Sequence, residues 1–214
     1  MMSVMQRRHG LDRPRRRLLW PFGLVIGGAA ALVVAAGLHE PLELPLRDAL
    51  LRLASTRVPA SVAVVAIDEA SLAHFGPWPW DRDLLARLVR AVAASGARAL
   101  AVDLLLVEPR PGDAQLARAL ASLPAVQAVA LGPRTWLLPA PPLRDAAGLA
   151  HATFEPDRDG VVRRLTATKQ AAGVSYPALS LAVALLADAQ RSIPVGTVLR
   201  PDFRLAWHAL PVIS

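Results

Sequence analysis

The sequence predicts an α/β domain, built mainly on a parallel sheet with flanking helices and an added β-hairpin, behind one transmembrane helix. Three observations carry this. Leu18–Leu38 is free of charged residues. Largely apolar runs at Val62–Ile67, rich in valine, and at Ala99–Val107 and Ala125–Leu131 alternate with stretches of helical period. Proline, glycine and aspartate then cluster at the joints between them.

The apolar stretch comes first. Its length would span roughly 30 Å as a helix, about one hydrocarbon core. Pro21 falls in the first turn, where a missing N–H costs little, and Trp20 suits the interface. Before it stand Arg7, Arg8, Arg13, Arg15, Arg16 and Arg17, against the single acid Asp12. Such a flank stays cytoplasmic, so the chain after Leu38 is expected to be exported. The alternative is a cleaved signal peptide ending near Ala35 and Gly37, although the apolar core is longer than about 15 residues, the upper end for such peptides. Either way the following domain lies outside. The expected organisation is a basic cytoplasmic tail at 1–17, an anchor at 18–38, a linker helix region at 39–61 and a domain at 62–214.

Charge excludes one class of partner. The net +7 comes mostly from that tail, and the remaining 18 basic and 16 acidic residues nearly balance. A nucleic-acid surface is therefore not expected. Cysteine is absent, which removes disulfides, thiolate metal sites and cysteine nucleophiles.

Within the linker, Leu46, Ala49, Leu50 and Leu53 predict an amphipathic helix over Leu46–Arg57, ended by Pro59. Val62–Ile67 reads as a strand covered on both faces. After the loop Phe75-Gly76-Pro77-Trp78-Pro79-Trp80, the residues Leu84, Leu85, Leu88, Val89 and Val92 line one helical face, with Asp81 or Asp83 as cap and Gly96 as stop. Ala99–Val107 is a second strand. Asp113 is expected to cap a helix bearing Leu116, Leu120 and Leu123, and Ala125–Leu131 is a third strand. This βαβαβ order implies parallel pairing. Pro139–Gly148 reads as a loop. Leu149–Phe154 and Val161–Thr168 read as a hairpin around Glu155–Gly160, with Gly160 at positive φ. Ser175 is expected to cap a buried apolar helix running to Gln190. A last strand pair is expected at Val195–Leu199 and Phe203–Trp207; the chain stops soon after, and the domain is expected to be incomplete at its C-terminus.

Four stretches together resemble the type-2 CHASE family, extracytoplasmic sensor modules of bacterial adenylate cyclases, histidine kinases and serine/threonine kinases. They are Val64-Val65-Ala66-Ile67-Asp68-Glu69-Ala70-Ser71-Leu72, Phe75-Gly76-Pro77-Trp78-Pro79-Trp80-Asp81-Arg82, Gly96-Ala97-Arg98-Ala99-Leu100-Ala101-Val102-Asp103 and Asp157-Arg158-Asp159-Gly160-Val161-Val162-Arg163-Arg164. The resemblance runs from about Leu46 to Trp207. It implies sensing of a small molecule or an envelope state, without enzymatic activity or cofactor, coupled to a cyclase or kinase output that this sequence does not contain. It also implies the membrane and a homodimer or signalling partner.

The candidate ligand residues are Asp68, Glu69, Ser71, Trp78, Arg82, Asp103 and Arg163. On parallel neighbouring strands, Asp68 and Asp103 would point into the crevice where open α/β sheets bind ligands. The plainer alternative is that these acids accept backbone N–H bonds or pair with Arg82 or Arg163. Trp78 and Trp80, stiffened by Pro77 and Pro79, form either a cleft lid or dimer contact, or a cap on the core. Of Arg163 and Arg164 one must face inward and find a carboxylate among Asp68, Asp103 and Asp159. The Asp157–Gly160 turn lacks the glutamate of a calcium loop, since Thr166 stands twelfth from Glu155. His9, His39, His74, His151 and His208 make no metal-ligand pair, and no catalytic signature is present. Two rival readings are a receiver-like phospho-acceptor and an envelope protein that oligomerises through the tryptophan loop.

Overall fold

A computed structural model describes residues 15–35, 48–51, 53, 61–188, 198–199 and 210–214. Two units divide the chain, one of 1–58 with 203–209 and one of 59–202 with 210–214.

The first unit contains helix α1, Arg15–Ala35, and a helical turn at 48–51. Every described side chain of α1, at 23–35, is exposed, with Leu24, Val25, Ile26 and Leu32 among them. Among the described residues no helix is long and apolar enough to cross a membrane. The remainder of the expected linker helix lies outside the described residues.

The second unit is built on β1 (Val64–Val65), α2 (Glu69–Phe75), α3 (Arg82–Ala94), β2 (Leu100–Val102), α4 (Asp113–Leu120), β3 (Ala125–Leu131), β4 (Trp136–Leu137), α5 (Pro141–Arg144) and β5 (Gly148–His151). It continues with β6 (Leu165–Thr166), β7 (Thr168–Ala171), β8 (Val174–Pro177), α6 (Leu179–Ala187), β9 (Val198–Leu199) and β10 (Val212–Ile213).

β3 is the organising strand. It pairs in parallel with β2, Leu100 opposite Ala125, and with β5, Val126 opposite Gly148, while β4 returns antiparallel on its end. Ala125 through Val129 are all buried, which explains why the stretch is apolar but for Gln127, whose Nε2 donates to Leu143 O at 2.6 Å. Trp80, Leu85, Ala86, Val89, Leu106, Leu116, Leu120 and Leu143 form the core that α3, α4 and α5 close over this sheet. Full burial of a side chain such as Leu116, Leu120 or Leu143 is worth about 1.5–3 kcal/mol each. α6 packs on β2, β3 and β5.

Several expectations are corrected. The pairing is not mainly parallel: the described strands form four small sheets, with β3–β4, β6–β9 and β7–β8 antiparallel. β1 does not enter the main sheet but pairs in parallel with β10. The runs at 62–67 and 99–107 keep only two and three residues as strand. The proposed hairpin of 149–154 with 161–168 is absent; β5 joins β3, and β6 pairs with β9. The real hairpin is β7–β8, turned at Ala172 (φ 50°) and Gly173 (φ 76°). Two consecutive positive φ values are what a tight two-residue hairpin turn demands. Pro139–Gly148 contains the short helix α5 and the first residue of β5. Ser175 lies in β8, and α6 starts after Ala178 with no residue fully buried. Asp113 is the first residue of α4, whose cap is Gly112 at φ 86°. Phe203–Trp207 lies outside the described residues.

Candidate functional site

Around the start of α2, Asp68 and Ser71 satisfy one another. Ser71 N donates to Asp68 Oδ1 at 3.0 Å and Asp68 N donates to Ser71 Oγ at 2.8 Å, a reciprocal cap that meets two donors left open at a helix start. Ser214 Oγ donates to the same carboxylate at 2.6 Å, tying the residue after β10 to the residue that caps α2. That bond first, then the Ser71 N–H, holds the Asp68 carboxyl below the usual carboxylate range. Glu69 follows, exposed, in the first turn. The sequence offers Asp68 as an acceptor of backbone N–H bonds without placing a helix after it; the Ser three residues on is the signal that marks one.

The aromatic loop comes next. Trp80 is buried and donates its indole N–H to Gly76 O at 2.8 Å; Phe75 meets it edge-on at 5.5 Å between ring centroids. Trp78, after which the peptide bond to Pro79 is cis, lies 6.1 Å from Trp80 and is 43% exposed. Trp80 thus closes the core, and Trp78 and Phe75 present aromatic surface outward.

Arg82 is buried at the start of α3. Its Nε donates to Asp113 Oδ1 at 2.7 Å and its NH2 to Glu108 O at 3.0 Å, while Arg110 N donates to Asp113 Oδ2 at 2.8 Å. One carboxylate therefore fastens α3, α4 and the loop between them. Gly112 fits here because a Cβ would meet Arg82 Cβ at 2.9 Å. Asp113 as the partner was not foreseen.

Arg163 is the inward arginine, as expected of one of the pair, and its carboxylates are Asp159 and Asp157. NH1 meets Asp159 Oδ1 at 2.9 Å and NH2 meets Asp159 Oδ2 at 2.8 Å, a two-pronged fit that suits a planar guanidinium. Asp157 Oδ2 lies 3.3 Å away, and the exposed Arg164 reaches Asp157 Oδ1 from outside. Arg164 and then Arg163 lower the Asp157 carboxyl, and Arg163 with the Val161 N–H lowers that of Asp159. Gly160 takes φ 79°, as the turn requires.

Asp103 is exposed just beyond β2 and makes no side-chain bond among the described residues. Since β1 and β2 belong to different sheets, Asp68 and Asp103 do not stand on neighbouring strands. The crevice argument and the receiver-like arrangement both lose their premise. Among the described residues no group of His, Cys, Asp and Glu side chains is placed to hold a metal ion.

Sequence reasoning also passed over His151, which is 1% exposed at the end of β5. Its Nε2 lies 3.1 Å from Thr166 O and its Nδ1 accepts from Thr153 N at 3.3 Å. Trp136 stands 6.4 Å from the ring and meets Tyr176 edge-on at 5.1 Å.

What these clusters define is a domain that spends its charged and aromatic residues on fastening loops to a small α/β core. Comparison with sequence families matches residues 24–212 to the CHASE2 domain, and the chain belongs to that family. CHASE2 domains are extracellular sensory domains of signalling proteins. Neither curated proteins nor solved structures give a match.

Proposed function

We propose that the chain is the extracytoplasmic sensing part of a bacterial membrane signalling protein, anchored through α1 and acting on a cyclase or kinase output. The observation that carries this reading is the CHASE2 match over residues 24–212, which reaches from α1 to β10. Further support comes from the arginines at 7, 8 and 13 ahead of α1 and at 15–17 at its start, and from aliphatic side chains exposed along it at 24–26 and 32–34. A helix that is apolar all round is at home in lipid, and its basic flank stays inside. On this reading the protein senses rather than catalyses. Its partners are the membrane, a small molecule or envelope component, and a second copy or transmitting protein.

Of the candidate residues, Glu69, Trp78 and Asp103 are exposed and form the proposed recognition set. Asp68, Ser71, Arg82 and Arg163 would act behind it, by fixing the segments that present it. The exposed Phe75 and Trp78 also favour self-association through that loop.

The test is topology. A reporter active only outside the cytoplasm, fused after Ser214, is expected to be active, and a cytoplasmic reporter at the same point silent. The reverse pattern overturns the proposal.

A further inference from the structure

We propose that His151 is a proton-operated latch: acidification protonates its ring and frees the β6–β8 corner from β5. The inference rests on the sensor reading only for its purpose, since it names the proton as a stimulus.

The geometry specifies the proton count. Thr166 O can only accept, so the His151 Nε2 facing it at 3.1 Å carries a hydrogen. Thr153 N can only donate, so the Nδ1 facing it at 3.3 Å must be bare. Together these neighbours select one neutral tautomer. A second proton would set two N–H groups head to head at Nδ1 and place a cation at a 1% exposed site.

The position makes that consequential. In β5, His151 stands opposite Val129 of the central strand and bridges to Ala178, just before α6. Its ring leans on Trp136, whose indole N–H donates to Val174 O of the β7–β8 hairpin at 3.2 Å. The backbone of His151 thus joins the central sheet and the residue before α6, while its ring meets β6 and, through Trp136, the hairpin.

The charged groups facing the ring are Lys169 from β7 and Glu155 from the loop after β5, bonded to each other at 2.6 Å and opposite in effect. β8 adds the phenol of Tyr176, and β3, β4, β6 and α6 carry no charged residue. Burial is the largest influence and holds the His151 pKa below the ordinary histidine value; Lys169 acts the same way, and the Thr166 carbonyl and Glu155 oppose it. Because the closed state binds the proton less readily than the open one, the latch is whole above about pH 6.5 and weakens as pH falls toward the closed-state value. The open-to-closed ratio rises by at most about tenfold per pH unit, the ceiling for one proton.

The experiment follows backbone hydrogen exchange at 165–178 in the full chain, in detergent micelles, between pH 8 and 5, corrected for the intrinsic pH dependence of exchange. Protection is expected to fall in acid by up to about tenfold per unit, and to stay level in His151→Gln, whose amide can still donate but does not titrate. Unchanged protection in the native chain, or an equal loss in His151→Gln, overturns the latch. Should that variant not fold, ring-nitrogen NMR of the native chain decides. A bare Nδ1 that titrates below about 6.5 together with the loss of protection sustains the proposal; a midpoint at or above the ordinary value sinks it. Both readouts use purified protein, so a responsive latch on a domain that the reporters place in the cytoplasm would retain this inference and discard the sensor.

Discussion

Arg82 and Asp113 show what a buried ion pair does for this domain. Both side chains are nearly inaccessible, at 5% and 7%, and each uses its remaining capacity on backbone, at Glu108 O and Arg110 N. Taking two charges out of water is costly, and leaving one of them unpaired is costlier still. Arg82→Ala is therefore expected to destabilise the domain by about 3–5 kcal/mol. The double variant R82M/D113L, which removes both charges and restores apolar volume, should lose less than Arg82→Ala alone. Denaturant midpoints of the variants measure this; a double variant as unstable as the single losses combined would count against the mechanism. The pair also marks a limit of sequence reading. Arg82 was noticed as a residue of interest, but its partner lies 31 positions away across two elements, and no local pattern encodes that distance. The Asp68–Ser71 cap and the Asp159–Arg163 pair lie three and four residues apart, and there the local chemistry was readable.

Elements divide in the same way. β3 has the bounds its sequence predicts, because burial on both faces leaves a run apolar but for Gln127 between Pro124 and Gly132. α3 ends where it should, with Gly96 at φ 84°. The runs at 62–67 and 99–107 look alike in composition, yet most of each has no strand partner: Leu106 is buried in the core and accepts Ala140 N from a loop. Val62, Val64 and Val65 are exposed, against the strand covered on both faces that the sequence predicts, so apolar composition alone fixes neither burial nor pairing. The hairpin was misplaced because Asp157–Gly160 carries the stronger turn composition. In the structure that turn is closed by Arg163, and the strands reverse at Ala172-Gly173 instead. Ala172 is the one described non-glycine residue at positive φ. An L-residue there is strained by roughly 1 kcal/mol, and Asn tolerates this conformation best after Gly. Ala172→Asn is expected to raise the unfolding free energy by about 0.5–1 kcal/mol. Thermal or urea unfolding reads the change, and a loss of stability would show that the turn is held by something other than its backbone.

For the whole chain, the family resemblance read from four short stretches agrees with the CHASE2 match over 24–212, although it gave no strand order. Sheet order depends on contacts between distant segments, whereas those stretches are local signatures of turns, caps and strand ends. A sensor also needs a two-state element between what detects and what transmits. The helical turn at 48–51, between α1 and the start of the second unit, is the candidate. Proline inside a helix removes a backbone donor and clashes with the preceding turn, costing about 3 kcal/mol locally. Ala49→Pro is thus expected to break the coupling and leave the 62–188 fold intact. The absence of native cysteine allows a direct measurement, because a single Gly27→Cys in α1 is the chain's only thiol. In membranes, disulfide cross-linking between two copies at that position should change between pH 8 and 5 in the otherwise native chain. With Ala49→Pro added it should no longer respond, while hydrogen exchange at 165–178 still does. If cross-linking keeps its pH response in a folded Ala49→Pro chain, the transmitting element lies elsewhere; if exchange at 165–178 is lost as well, the proline has damaged the domain and a milder break, Ala49→Gly, replaces it in the same measurement.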